Sequence, residues 1–193
     1  PMLLCSLLVG RGIYTAEQAQ QYFNGTELSD PLLIADMDKA VQAIEAAVDN
    51  EIKITVYGDY DCDGVTSTVM LFTHLDAIGA DVNWYIPTRE EGYGLNENAI
   101  RKLHEDGTGL IITVDNGVSA VNEAELIYEL GMKLVVTDHH QLPEILPKAE
   151  AIVNPHRQDD SSLYKELAGC GVALKLIMAL ERDVEGVLEQ YAD

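Results

Sequence analysis

The chain has 193 residues, enough for one substantial domain, and its 47% hydrophobic and 23% charged content belongs to a globular protein, not a disordered one. Lys and Arg number 12 against 33 Asp and Glu, a formal charge of −21, which argues against a protein that grips nucleic acid through a basic patch of its own. Three scattered cysteines, Cys5, Cys62 and Cys170, with no CxxC, exclude a disulfide framework and a zinc ribbon and fit a reducing, cytoplasmic compartment.

In chain order, the apolar stretch at 3–9 is broken by Cys5 and Ser6. It falls far short of the ~20 residues of a membrane span and lacks a charged flank, so neither a membrane anchor nor a signal peptide is expected. The opening Pro1-Met2 suggests an end made by excision. A helix is predicted over 15–23, with a Thr15 cap, Glu17 and Gln18 in its first turn, and a stop before Asn24-Gly25. A second follows over 38–48, striped by Val41, Ile44, Ala47 and Val48. Residues 1–50 thus form a helical lead-in packed on the main domain.

From residue 52 strands and helices alternate. Strands are predicted at 52–57, 81–86, 110–114, 133–137 and 151–153, and helices at 66–78, 96–105, 119–130 and 169–180. Such alternation implies βαβ crossovers and an α/β, Rossmann-like parallel sheet with helices on both faces. The uninterrupted apolar runs at 110–114 and 133–137 fit strands buried on both sides. Open parallel sheets bind ligands beyond the carboxyl ends of their strands, so the residues after each strand carry the functional information.

Those residues are acidic and imidazole-bearing. Asp59, Asp61 and Asp63 follow the first strand, Asp115 follows 110–114, Asp138, His139 and His140 follow 133–137, and Asn154, His156 and Arg157 follow 151–153. Five carboxylates on one rim would repel one another and raise each other's pKa values unless a cation neutralised them. Oxygen and imidazole ligands suit Mn²⁺, with Mg²⁺ or Zn²⁺ as substitutes, and paired divalent ions serve in-line displacement at phosphorus. Arg89 is one of few cations near the rim and could hold a phosphate, or else pair with Glu90 or Glu91; Arg157 is weighed in the same way. Gly64 is expected to turn the chain sharply into the helix that follows.

Simpler readings exist for several of these residues. A calcium hand beginning at Asp59 would need Glu at its twelfth position, where Met70 stands, and would follow a helix instead of a strand. His74 and His104 lie within helices and read as structural, and Cys62 reads as a small filler between Asp61 and Asp63.

The motifs VYGDYDCDGVTST at 56–68, IPTREEGYGLN at 86–96, ITVDNG at 112–117, VVTDHH at 135–140 and VNPHR at 153–157 resemble the DHH phosphoesterase superfamily, and within it the RecJ-like single-strand-specific DNA exonucleases. GRGI at 10–13 and DPLLIADMDKAV at 30–41 resemble the same family's lead-in. The resemblance implies a 5′-to-3′ exonuclease on single-stranded DNA, using Mn²⁺ or Mg²⁺, in recombination and repair, with helicases or single-strand-binding proteins as partners. By motif, Asp61 and Asp63 are metal ligands supported by Asp59, Asp115 bridges two ions, and His139 is a further ligand. Asp138 and His140 orient His139 or meet the phosphate, while Arg89, Asn154, His156 and Arg157 contact substrate. The family's fourth acidic motif and second catalytic domain do not occur before Asp193, so 51–193 reads as a catalytic domain cut before its metal shell is complete. Alternatives are an oligoribonuclease or nucleotide phosphatase of the superfamily, or a non-catalytic scaffold.

Overall fold

The structure is a computed structural model that describes residues 2–24, 28–162 and 164–191. Gly25 and Asp193, on which two of the expectations above fall, lie outside those residues. Five strands, β1 (Ile54–Tyr57), β2 (Val82–Tyr85), β3 (Leu110–Val114), β4 (Lys133–Thr137) and β5 (Ala151–Val153), form one sheet in the order β2-β1-β3-β4-β5. Every pairing is parallel, with Val56 beside Trp84 and Ile112, and Ile112 beside Val135. This is a doubly wound order, and the direction of winding reverses between β1 and β3, where such sheets bind ligands.

The helices are α1 (Met2–Val9), α2 (Ala16–Asn24), α3 (Met37–Asp49), α4 (Cys62–Ala77), α5 (Glu97–Glu105), α6 (Val121–Glu129), α7 (Gly169–Glu181) and α8 (Val184–Tyr191). Successive strand residues point to opposite faces, so each strand feeds two cores. Ile54, Val56, Leu110, Ile112, Val114 and Val135 pack with α3, α4 and α7; Tyr57, Ile111, Leu134, Val136 and Ile152 pack with α5 and α6. Among the described residues no helix is long and apolar enough to cross a membrane.

The bounds of β3, β4 and β5 match the sequence reading. Two differences bear on the site. Helix α4 starts at Cys62, four residues before the predicted 66, because the Asp61 side chain accepts a hydrogen bond from Gly64 N (2.9 Å) and caps the helix inside the acidic loop. Gly64 therefore does not supply a sharp turn; it lies in the first helical turn, and its need for glycine comes from close approach to Asp59. Helix α8 was not foreseen.

Polar contacts tie residues 29–36 to later parts of the chain. Arg157 pairs with Asp36 and Asp159, Asp160 accepts from Ala35 N (2.9 Å) and pairs with Lys165, and the buried Lys175 of α7 donates to Ser29.

His74, buried in α4, behaves as the structural histidine foreseen, and it makes stability depend on pH. Burial lowers its pKa; only Glu181, 3.6 Å away, acts the other way. The unfolded chain takes up this proton below about 6.5 while the folded chain resists it, so stability falls as pH drops through that value. Melting curves between pH 7.5 and 5 for the wild type and H74L are expected to diverge by up to about 1.4 kcal/mol per pH unit, the wild type losing more. Parallel curves would show that folded His74 takes up the proton as readily as the unfolded chain does.

Candidate metal centre

The site is assembled at the β1/β3 reversal. Asp59 lies just beyond β1 and is almost wholly buried; Asp61 follows at the surface as the α4 cap; Asp63 is half-buried in the first turn of α4. Asp115, immediately after β3, is 2% exposed and adopts a left-handed backbone, φ 63°. That conformation is uncommon outside glycine, though Asp and Asn tolerate it best, and isolated strain of this kind gathers at functional sites.

Two groups of ligand atoms share Asp115. One atom each from Asp115, His139 and His140 lies within 4.8 Å of the others, and so does one each from Asp59, Asp61 and Asp115. His139 Nε2 is 3.0 Å from Asp115 Oδ1 and 3.6 Å from Asp63 Oδ2. The closer pair is not aligned as a hydrogen bond, and among the described residues Asp115 Oδ1 and Asp59 Oδ1 are buried without a hydrogen-bond partner. Orphaned buried carboxylate oxygens are costly, and a bound cation removes that cost.

The electrostatics agree. Burial first, then the charges of Asp63 and Asp61, push the Asp115 carboxyl up to about 7. Burial, aided by Asp61, also raises Asp59. Asp63 moves the other way: burial alone would raise it, but hydrogen bonds from Cys170 and Gly169 and the nearby His139 hold it low. The donor set of carboxylates and imidazoles therefore fits a hard or borderline divalent ion such as Mn²⁺.

Asp138 is an anchor. Its Oδ1 accepts from His139 N (2.7 Å), His140 N (3.1 Å) and His140 Nδ1 (2.7 Å), and its Oδ2 accepts from Val118 N (2.9 Å). Burial would raise its pKa, yet these bonds hold it below the usual carboxylate range. The same pairing raises the pKa of His140. Held this way, His140 keeps its proton on Nδ1 and leaves Nε2 free to bind, the usual carboxylate–histidine support of a metal ligand.

The structure brings Asp59, Asp61, Asp63, Asp115, Asp138, His139 and His140 together; the outlying residues fare differently. Arg89 sits over the Tyr60 ring, its guanidinium carbon 4.8 Å from the centroid, and among the described residues it makes no ion pair with Glu90 or Glu91. Glu91 instead accepts from Tyr85 and Thr88. His156 is half-buried, its N–H donating to Asn154 Oδ1 (2.9 Å). Two further residues face other parts of the chain. Asn154 is fully buried and donates to the His140 carbonyl (3.0 Å), so it braces the His-His turn from within. Arg157 is occupied by Asp36, Asp159 and the Ile152 carbonyl, so its guanidinium fastens the lead-in and has no contact with the carboxylate rim.

Two contributors escaped the sequence reading. Tyr93 donates to the Asp115 carbonyl (3.0 Å) and stands 3.2 Å from His140 Nδ1, steadying both sides of the site. Its neighbours Gly92 and Gly94, both at positive φ, mark tight backbone but not which residue it presents. The other is the start of α7, whose Gly169 and Cys170 amides donate to Asp63.

A doubly wound parallel sheet with aspartates and a His-His pair converging at its reversal is the arrangement of a DHH-type domain, and the chain belongs to the DHH family: the model of that family's N-terminal domain matches residues 53–193. Its relatives include the single-stranded-DNA-specific exonuclease RecJ of Bacillus subtilis, 46% identical over 181 residues that span 92% of this chain and 23% of the relative. Among solved structures it resembles an exonuclease RecJ bound to manganese, with 36% identity, TM-score 0.74, and coverage of 81% of this chain and 40% of the other. It also resembles the Mn²⁺ complex of RecJ from Thermus thermophilus, with 30% identity, TM-score 0.71, and coverage of 91% of this chain and 24% of the other.

Proposed function

We propose that the chain is the metal-dependent phosphodiesterase domain of an exonuclease that degrades single-stranded DNA from its 5′ end, in recombination and repair in the cytoplasm. The observation that carries this reading is the pair of ligand groups joined through Asp115, whose buried oxygen accepts no hydrogen bond from the described residues. Asp59, Asp61, Asp63, Asp115, His139 and His140 would hold two Mn²⁺ or Mg²⁺ ions. Bound there, the ions would supply a nucleophile at neutral pH and offset charge on the departing oxygen. Asp138 fixes the orientation of His140, Tyr93 holds the Asp115 backbone, and Arg89 on Tyr60 offers a cation for a substrate phosphate.

The relatives compared are far longer than this chain, so the test has two parts. Electron paramagnetic resonance of this chain with Mn²⁺ should show bound metal, weakened more than about a hundredfold in H139A. A protein carrying the domain at the length of its relatives should then release mononucleotides from labelled single-stranded DNA. Preference for the shortest oligonucleotides would point to an oligonucleotide phosphatase, and unimpaired biological activity of a D61A, H139A variant would point to a scaffold.

A further inference from the structure

Asp63 is held by a helix that begins more than a hundred residues later in the chain. Its Oδ2 accepts from Gly169 N (2.6 Å) and its Oδ1 from Cys170 N (2.7 Å), so one carboxylate covers two of the free amides that open α7. Ala168, the residue before α7, provides no side-chain cap, and Asp63 fills that role from another part of the chain. Gly169 is buried, and a Cβ placed on it would lie 2.5 Å from Asp115 Oδ1 and 2.7 Å from Asp115 Cβ and Cγ. Helix α7 has little room to retreat, because Val172, Leu176 and Ile177 bury it against the sheet and α4. The same turn of helix therefore grips Asp63 and confines the orphaned Asp115 oxygen.

We infer that the first turn of α7 positions the metal-binding carboxylates, with Gly169 and Cys170 as positioning residues: their amides fix Asp63, and the bare Gly169 Cα lets the helix close on Asp115. This rests on the proposed reading of the site as a metal centre. Hydrogen bonds to the outer lone pairs of a carboxylate orient its remaining lone pairs, and losing such support typically weakens metal binding about tenfold to a hundredfold. The amides and the helix dipole also favour ionised Asp63, the form a cation requires.

The test is Mn²⁺ affinity by calorimetry and the Mn²⁺ resonance spectrum, with a thermal melt of each variant. G169A crowds Asp115, and C170P removes one amide donor at a first-turn position where proline is tolerated. Both are expected to weaken Mn²⁺ binding about tenfold or more and to change the resonance spectrum. G171A should bind as the wild type does, because its added methyl meets only the Leu167 side chain, at 3.3 Å. If G169A does not fold, C170P decides. A folded C170P or G169A that binds Mn²⁺ with wild-type affinity and spectrum overturns this inference alone, leaving α7 a packing element. A wild-type chain that binds no Mn²⁺ overturns both this inference and the proposed function.

Discussion

Asp115→Asn is expected to make the metal-free chain more stable while abolishing the metal-dependent cleavage proposed above. The carboxyl sits at about 7 because it is buried and faces Asp63 and Asp61. Its folded pKa is raised above the unfolded value, so the folded state binds the extra proton between roughly pH 4 and 7, and stability falls as pH rises through that window. At pH 8 the ionised carboxyl opposes folding by an amount on the order of 2–4 kcal/mol, as follows from a shift of this size. Asparagine removes the charge, keeps the shape and suits a left-handed backbone. For a chain of this size each kcal/mol recovered raises Tm by about 2–4 °C. D115N should therefore melt higher than the wild type at pH 8, with the gap closing toward pH 5. It should lose the shared metal ligand, and with it about a thousandfold or more in rate where the complete enzyme is measured. Equal melting at pH 8, or retained cleavage, would remove Asp115 from the centre of the site.

Gly64→Ala is expected to damage fold and site together. The added methyl would lie 2.6 Å from Asp59 Cβ and 2.7 Å from Asp59 N and O, against backbone that cannot rotate away. Overpacking in a core costs about 1–3 kcal/mol, and contact with backbone belongs at or above the upper end. A fall in Tm of about 6–12 °C follows. The displacement would fall on Asp59 and on the Asp61–Gly64 cap, so Mn²⁺ binding should weaken in whatever fraction folds. Wild-type melting and wild-type Mn²⁺ affinity in G64A would show that the loop has room which the geometry denies.

The parts of this architecture legible in the sequence were those set by short-range pattern. β3 and β4 are continuous apolar runs bounded by polar turns, and buried parallel strands leave that signature. The carboxylates were found because each follows such a run. The start of α4 was misplaced because Asp61 is at once a loop acid and a helix cap, and only the hydrogen bond to Gly64 distinguishes the two. The bond of Asn154 to the His140 carbonyl and the ion pair of Arg157 with Asp36 join elements apart in sequence, which local pattern does not encode. Tyr93 and Gly169 were missed for the same reason: their contacts to Asp115 cross between elements distant in sequence.

A polypeptide leaves the ribosome amino end first, and the sheet strands through β5 can emerge while residues 169–181 are still inside the exit tunnel. Until that stretch emerges, Asp63 has no amides to hold it and the face covered by α7 is open to water. On the proposed reading, capture of a divalent ion therefore waits for α7: a ribosome-bound intermediate stalled with residue 160 at the tunnel exit should ignore manganese, and one stalled with residue 191 outside should take it up.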